Sequence, residues 1–384
     1  MGKKVIVAMS GGVDSSLAAA LLQEAGYEVI GVHMRLHNLH AEVSPRAGIG
    51  GGRLNHGCCS LEDVDDARLV AHTLGIPFYV LNFEAEFRRH IIADFIGEYR
   101  RGRTPYPCLN CNRYVKFDAL LHRAAALGAD FIATGHYARI YADGAGRWHL
   151  GRALDRGKDQ AYVLYHLGQA ELPRVLLPLG ALPKTEVRRL AAARGLVVAD
   201  KPDSQEICFV PDNDYRHFLD TMAPQIRRPG PILDGAGHEV GQHDGITDYT
   251  VGQRKGLGAL GPEPHYVLRL DPARNAVIVG TAADLQEHTL IADDVHFVAG
   301  TWPAGPLAVT AKIRYRAPEA PALVTPLPDG RVRVDFATPQ RAITPGQAVV
   351  FFAGDEVLGG GTIAAVGAAE DARTEALVAT AHSA

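Results

Sequence analysis

The segment "KKVIVAMSGGVDSSLAAALLQEAGYEVIGVHM" (Lys3–Met34) constrains the chain more than any other stretch. An apolar run, Val5–Ala8, leads into Ser-Gly-Gly-x-Asp-Ser. A helical pattern over Ser15–Ala25 follows, with Leu17, Leu21 and Leu22 on one face, and then a second apolar run, Val29–His33. The alternation continues through strand-like runs at Phe78–Leu81 and Phe131–Thr134 and helical patterns at Leu61–Leu74 and Lys184–Leu196. Strands alternating with helices imply an α/β fold with a doubly wound parallel sheet.

The turn between the first strand and helix is built for an anion. Glycines let the backbone approach phosphate oxygens, and the unpaired N–H groups at a helix start point at negative charge. Ser10, Ser15 and Ser16 add hydroxyl donors. No lysine follows the last glycine, which excludes the Walker pattern. The plain alternative is a capped helix after a tight turn, since Asp and Ser are good caps.

At 384 residues the chain is long for one domain. The pattern divides it into an α/β domain over residues 1–214 and a small central domain, rich in glycine, charge and turns, over 215–286. An antiparallel barrel of short alternating strands follows over 287–367. Residues 368–384 carry no pattern and read as a frayed tail, and "SPRAGIGGGRLNHG" (Ser44–Gly57) reads as a mobile loop. The net charge of −4 gives no global basic field, so any nucleic-acid binding must use local patches. One candidate is "FRRHIIADFIGEYRRGRTPYPCLNCNRYVK", where Lys and Arg outnumber Asp and Glu, although a charged helix face is commonly just solvated. No apolar run approaches the roughly 18 residues of a membrane helix. The N-terminus has no signal-peptide pattern. The expected location is therefore cytoplasmic, away from membranes.

Five cysteines, Cys58, Cys59, Cys108, Cys111 and Cys208, suit reactive thiols or metal ligands better than a disulfide framework in a reducing compartment. Cys108 and Cys111 form a CxxC beside Arg101, Arg103, Arg113 and Lys116, and nearby cations favour the reactive thiolate. A zinc knuckle needs a second CxxC or a histidine pair, and none follows at suitable spacing. Cys58 and Cys59, just before a helix, read equally well as buried structural cysteines.

"SGGVDS" is similar to the pyrophosphatase loop of ATP-cleaving enzymes that adenylate an oxygen, among them GMP, NAD and argininosuccinate synthetases and tRNA-thiolating enzymes. The stretches "VAMSGGVDSSLAA", "GCCSLEDVDDAR", "TPYPCLNCNRYVKF", "ATGHYAR", "KDQAYVLY", "DSQEICF", "GQRKGLG" and "KIRYRAP" occur in that order over roughly residues 3–365. Together they resemble the tRNA-specific 2-thiouridylase family, whose members replace the 2-carbonyl oxygen of the wobble uridine with sulfur.

That resemblance implies ATP, with Mg²⁺, on Ala8, Met9, Ser10, Gly11, Gly12, Val13, Asp14 and Ser15, with Met34 and Gly135 lining the adenosine. It implies a persulfide on Cys208, supplied by a sulfur-relay protein or cysteine desulfurase. Cys111 then attacks the persulfide, which leaves a Cys111–Cys208 disulfide. It sets Tyr106, Pro107 and Cys108 against the target base. His136, Lys158, Asp159, Gln160, Arg314, Tyr315 and Gln347 would contact tRNA, as would the central and barrel domains. For His136 and Gln347 a hydrogen-bonded strand-end histidine and a turn residue are equally good readings.

One departure matters. Many members carry aspartate, a candidate general base, where this chain has Cys108. The thiol makes Cys108, Cys111 and Cys208 a candidate ligand set for a 4Fe–4S cluster, so persulfide relay and cluster-bound sulfide both stay open. Two other functions compete: an ATP-dependent synthetase acting on a small molecule, and a non-catalytic RNA-binding module with a vestigial nucleotide loop.

Overall fold

The computed structural model describes residues 2–37, 61–203, 207–210, 214–258, 260 and 263–367. Cys58, Cys59, the Ser44–Gly57 stretch and residues 368–384 lie outside them.

The first strands are β1 (Lys4–Ala8), β2 (Glu28–Arg35), β3 (Phe78–Asn82) and β4 (Phe131–Ala133). A hairpin of β5 (Ala138–Ala142) and β6 (Trp148–Arg152) follows, then the short β7 (Val175–Leu176). Five of these form a sheet in the order β3-β2-β1-β4-β7, with every pairing parallel. Val5, Ile6 and Val7 of β1 are wholly buried, as a strand covered on both faces requires. The cover on one side is α1 (Val13–Glu24) and α2 (Leu61–Leu74), with a later helix, Lys184–Ala193, beside α1. On the other side lie two longer helical runs, α3 over residues 84–100 and α4 over residues 107–126. Lys184–Ala193 is then α5.

Both longer runs contain a π-wound segment, Arg88–Ile92 in α3 and Cys111–Ala119 in α4. Such segments are uncommon and concentrate at functional sites. The sheet order reverses beside β1: β2 and β3 lie to one side of it and β4 to the other. Ligands of doubly wound sheets bind at that point, beyond the carboxyl ends of the strands.

The next helix, α6 (Tyr215–Met222), begins at a genuine cap, since the Asp214 carboxylate accepts from the amides of Arg216 and His217. Its Phe218 packs edge-on against Phe95 and Phe209, and Tyr215 stacks on Tyr99, so one face of the helix, with Phe218 and Leu219 buried, joins the core of the α/β unit. Four short strands follow: β8 (Gly230–Leu233), β9 (Glu239–His243), β10 (Tyr266–Asp271) and β11 (Ala276–Gly280), in the order β10-β11-β8-β9.

The remaining strands are β12 (Gln286–Phe297), β13 (Leu307–Lys312), β14 (Ala320–Pro326), β15 (Val332–Arg341), β16 (Ala348–Ala353) and β17 (Glu356–Val366). They run antiparallel, and pairing of β12 with β17 closes them into the expected barrel. The β5–β6 hairpin extends this sheet through Glu356–Gly151 and Val357–Leu150, so a piece of the first 214 residues is built into the barrel wall.

Candidate active site

The turn after β1 is held by its own hydroxyls. Ser15 Oγ accepts from the Ser10 amide at 3.1 Å, and Ser16 Oγ donates to the Gly12 carbonyl at 2.9 Å. Gly12 is the N-cap of α1, and no side chain caps the helix. The plain capped-helix reading therefore does not hold, and Gly12, Val13 and Asp14 line a cavity. Gly11 has a φ of +75°, and a Cβ there would lie 2.3 Å from the Asp63 carbonyl oxygen. Gly135, just past β4, lets that strand approach α1, since its Cβ would stand 2.7 Å from the Ser15 nitrogen.

Two cavities open here. The smaller, of about 190 Å³, is lined by Ala8, Met9, Ser10, Asp14, Ser15, Met34, Gly135, His136 and Gln160 from the sequence reading. His33, Leu36 and Thr134, which that reading did not pick out, complete it together with Lys116, read there only as a cation beside the CxxC. The larger, of about 1250 Å³, brings Ser10, Gly12, Val13 and Asp14 together with Tyr106, Pro107, Cys108, Cys111 and Cys208. Its walls also include His136, Lys158, Asp159, Gln160, Arg314, Tyr315 and Gln347, so residues from both ends of the chain share one space.

Two charged clusters lie beside the loop; of their lysines the motifs mark Lys158 but not Lys184 or Lys201. Lys184 Nζ donates to both Asp14 carboxylate oxygens at 2.7 Å and stands 2.9 Å from Asp203. The Tyr137 hydroxyl donates to Asp14 at 2.7 Å. Burial, reinforced by that carboxylate, raises the Tyr137 pKa, so the hydroxyl stays protonated. Asp203 also accepts from Lys158 at 2.8 Å. Burial opposes ionisation of Asp203, but hydrogen bonds from Lys158 and Lys184 outweigh it and hold the carboxyl below its usual range. Lys201 bonds Asp63 at 2.7 Å, Asp66 and the Gly11 carbonyl, tying the loop to the start of α2. One sequence signal was available: Lys184 opens α5, and a cation at a helix N-terminus opposes the dipole.

Cys108 is exposed, Cys111 buried and Cys208 half-buried. Pro107 starts α4, and Cys111 opens its π-wound segment. The three thiols share a cavity wall, but among the described residues no three His, Cys, Asp or Glu side chains are gathered closely enough to hold a metal ion. The side chains therefore do not fit a cluster as they stand.

Several residues assigned to tRNA make protein contacts. The Asp159 carboxylate accepts from the Ala153 and Ala161 amides, and Gln160 Oε1 accepts from the Tyr137 amide. Gln347 donates to the Thr104 carbonyl at 2.9 Å, and the Tyr315 hydroxyl donates to the Asp159 carbonyl at 3.0 Å. These bonds fix the cavity wall, and Gln347 holds the residues before Tyr106. His136 is buried with Nδ1 2.8 Å from Thr134 Oγ1. Burial, aided by Lys116, keeps its pKa well below the usual histidine value, so it is neutral. The larger cavity is lined by nine Lys or Arg and six Asp or Glu, so it is net basic in an acidic chain.

A doubly wound sheet whose first turn is a pyrophosphatase loop, opening on a basic, cysteine-lined cavity, defines an ATP-utilising enzyme of the pyrophosphatase-loop class. Family models match as "tRNA methyl transferase HUP domain" over residues 3–212, "tRNA methyl transferase PRC-barrel domain" over 216–281 and "Aminomethyltransferase beta-barrel domain" over 287–363. The tRNA-specific 2-thiouridylase MnmA of Symbiobacterium thermophilum is 54% identical, covering 94% of this chain and 92% of the relative. That of Moorella thermoacetica is 55% identical, covering 94% and 99%. The chain belongs to the tRNA-specific 2-thiouridylase family. A solved 4-thiouridine synthetase–RNA complex with bound ATP covers 57% of this chain and 51% of that one at 17% identity, with a TM-score of 0.34, too distant to carry argument. Among the described residues no helix is long and apolar enough to cross a membrane.

Proposed function

We propose that this chain is an ATP-dependent tRNA uridine 2-sulfurtransferase acting at the wobble position. The observation that carries the reading is the single cavity shared by the ATP loop, Tyr106 and the three thiols. Family membership supports it over a small-molecule synthetase or a non-catalytic RNA binder, neither of which needs thiols beside the loop.

The uridine O2 attacks the α-phosphorus and pyrophosphate departs along the loop, beside Lys184 and Lys201. Adenylation makes O2 a good leaving group. Sulfur carried by Cys208 attacks C2, AMP leaves with the former carbonyl oxygen, and the Cys111 thiolate cleaves the remaining S–S bond. The products are thiolated tRNA and a Cys111–Cys208 disulfide, so each further turnover needs a dithiol reductant and a new persulfide. A sulfur-relay protein or cysteine desulfurase supplies that persulfide. Mg²⁺ requires only one or two carboxylates besides substrate phosphates; Asp14 would provide one only by giving up contacts with Lys184 and Tyr137, which engage both its oxygens. No step is routed through an iron–sulfur cluster.

The test is thiolation of an unmodified tRNA transcript with ATP, a persulfide donor and dithiothreitol, read as retardation in a mercury-containing gel. Retardation that needs ATP and disappears when the wobble uridine is replaced by cytidine supports the reading. Thiolation at another nucleotide, or none at all, contradicts it.

A further inference from the structure

The nucleotide cavity and the thiol cavity meet along five described residues: Ser10, Asp14, Lys116, His136 and Gln160. The Asp14 carboxylate is engaged by Lys184 and Tyr137, Gln160 by the Tyr137 amide, and neutral His136 pairs with Thr134. Ser10 is bonded within the loop. Among the five, Lys116 is the one cation.

Its position depends on how α4 is wound. Lys116 lies five residues after Cys111, which in an α-helix of 3.6 residues per turn would set the two side chains about 140° apart. The Cys111–Ala119 segment is π-wound, and its i→i+5 pattern stacks position 116 one turn above position 111. Both residues accordingly line the larger cavity, while Lys116 also reaches the smaller one.

We propose that Lys116 is a catalytic residue whose ammonium engages the α-phosphate of ATP and of the adenylated uridine. This rests on the thiouridylase reading. Pyrophosphate leaves on the side of Lys184 and Lys201, so the α-phosphate remains where the two cavities join. When sulfur attacks, the C2–S bond forms, the C2–O bond breaks, and the electron pair goes to the oxygen on AMP. A phosphodiester becomes a monoester and gains one negative charge at that spot. A cation fixed there binds the transition state better than the ground state, which is the condition for catalysis.

The full-length wild type, Lys116→Met and Lys116→Arg are compared with ATP, tRNA transcript, a low-molecular-weight persulfide and dithiothreitol. Pyrophosphate release, AMP release, thiolation and Tm are recorded. The expected result for Lys116→Met is a kcat for AMP release and thiolation lower by about 10²–10³-fold, the usual loss for one preorganised charge-stabilising group. The ATP KM should stay within about threefold, and Lys116→Arg should recover at least about tenfold of the loss. A Lys116→Met enzyme as fast as wild type overturns the assignment, as does a defect confined to the ATP KM. Equal losses in Met and Arg variants with equally lowered Tm assign Lys116 a structural role and also overturn it. A wild type inert on tRNA brings down the parent reading as well, whereas an active wild type beside an active Lys116→Met brings down this assignment alone.

Discussion

Lys184 and Asp14, 170 residues apart in sequence, meet through two 2.7 Å hydrogen bonds at the mouth of α1. The contact joins the loop aspartate to the start of α5. Through Asp203 it extends to Lys158, so four charged groups from separate stretches form one unit beside the phosphate loop.

That unit should govern adenylation. Asp14→Ala and Lys184→Met should each slow tRNA-dependent pyrophosphate release by about 10²-fold or more, the scale for removing a preorganised charge. Tyr137→Phe, which removes one hydrogen bond to a charged group worth about 1.5–3 kcal/mol, should cost less. Radiolabelled pyrophosphate release measures all three, and a normal rate in Asp14→Ala would refute the role given to this aspartate.

The thiols should separate by function. Cys111→Ser and Cys208→Ser should abolish thiolation while tRNA affinity, measured by filter binding, stays close to wild type. Cys108→Ser should remain measurably active, since loss of a general base costs about 10²–10⁴-fold and the relay does not need the third thiol. Enzymes prepared anaerobically should thiolate without iron when given a persulfide donor. Activity that follows iron content and runs on sulfide alone would contradict the relay.

Tyr106 should act as a stacking platform. Its ring lies 6.3 Å from that of Tyr162, whose hydroxyl is anchored on the Ala348 carbonyl. Tyr106→Ala should weaken tRNA binding by roughly the 1–3 kcal/mol of one base–aromatic stack, and Tyr106→Phe should not. Equal affinities for Ala and Phe variants at fixed salt would remove Tyr106 from base recognition.

Acid should destabilise the fold through buried neutral histidines. Burial, helped by Arg113, pushes His166 down to about 3, and burial with Lys116 lowers His136. A folded-state pKa below the unfolded one means that the native state binds fewer protons. The stability is therefore intact above about pH 6.5 and is lost as pH falls from there towards the depressed value. The slope is at most about 1.4 kcal/mol per pH unit for each histidine. His149 has the opposite sign. Its hydrogen bond to Glu356 outweighs burial and raises its pKa, so its contribution is present below about 6.5 and is lost as pH rises through the raised value. Urea unfolding between pH 5 and 7.5 should show net loss on the acid side, reduced in His166→Leu. An unchanged slope in that variant would show that His166 titrates normally.

The α/β order was legible because β1 and β2 are apolar runs and the helices between strands keep their period. Strands β1–β4 lie within a residue or two of the runs read from sequence. The barrel was legible from alternation in "RVRVDFA" and its neighbours. The β5–β6 hairpin joining that barrel was not, because its partner β17 lies some 200 residues away and no local pattern encodes the pairing. The loop and thiols were found because their residue types carry the chemistry. Lys184 and Lys201 were missed because a lysine is ordinary until tertiary structure places it. Lys116 was read only as a cation beside the CxxC, because a π-wound helix defies the usual 3.6-residue phase.

In this scheme ATP activates the uridine 2-carbonyl oxygen. A tRNA carrying ¹⁸O at O2 of the wobble uridine, turned over by the wild-type enzyme in unlabelled water, tests it most directly. AMP should bear one ¹⁸O per uridine thiolated, with pyrophosphate unlabelled. Unlabelled AMP beside fully thiolated tRNA, or label in pyrophosphate, would contradict it.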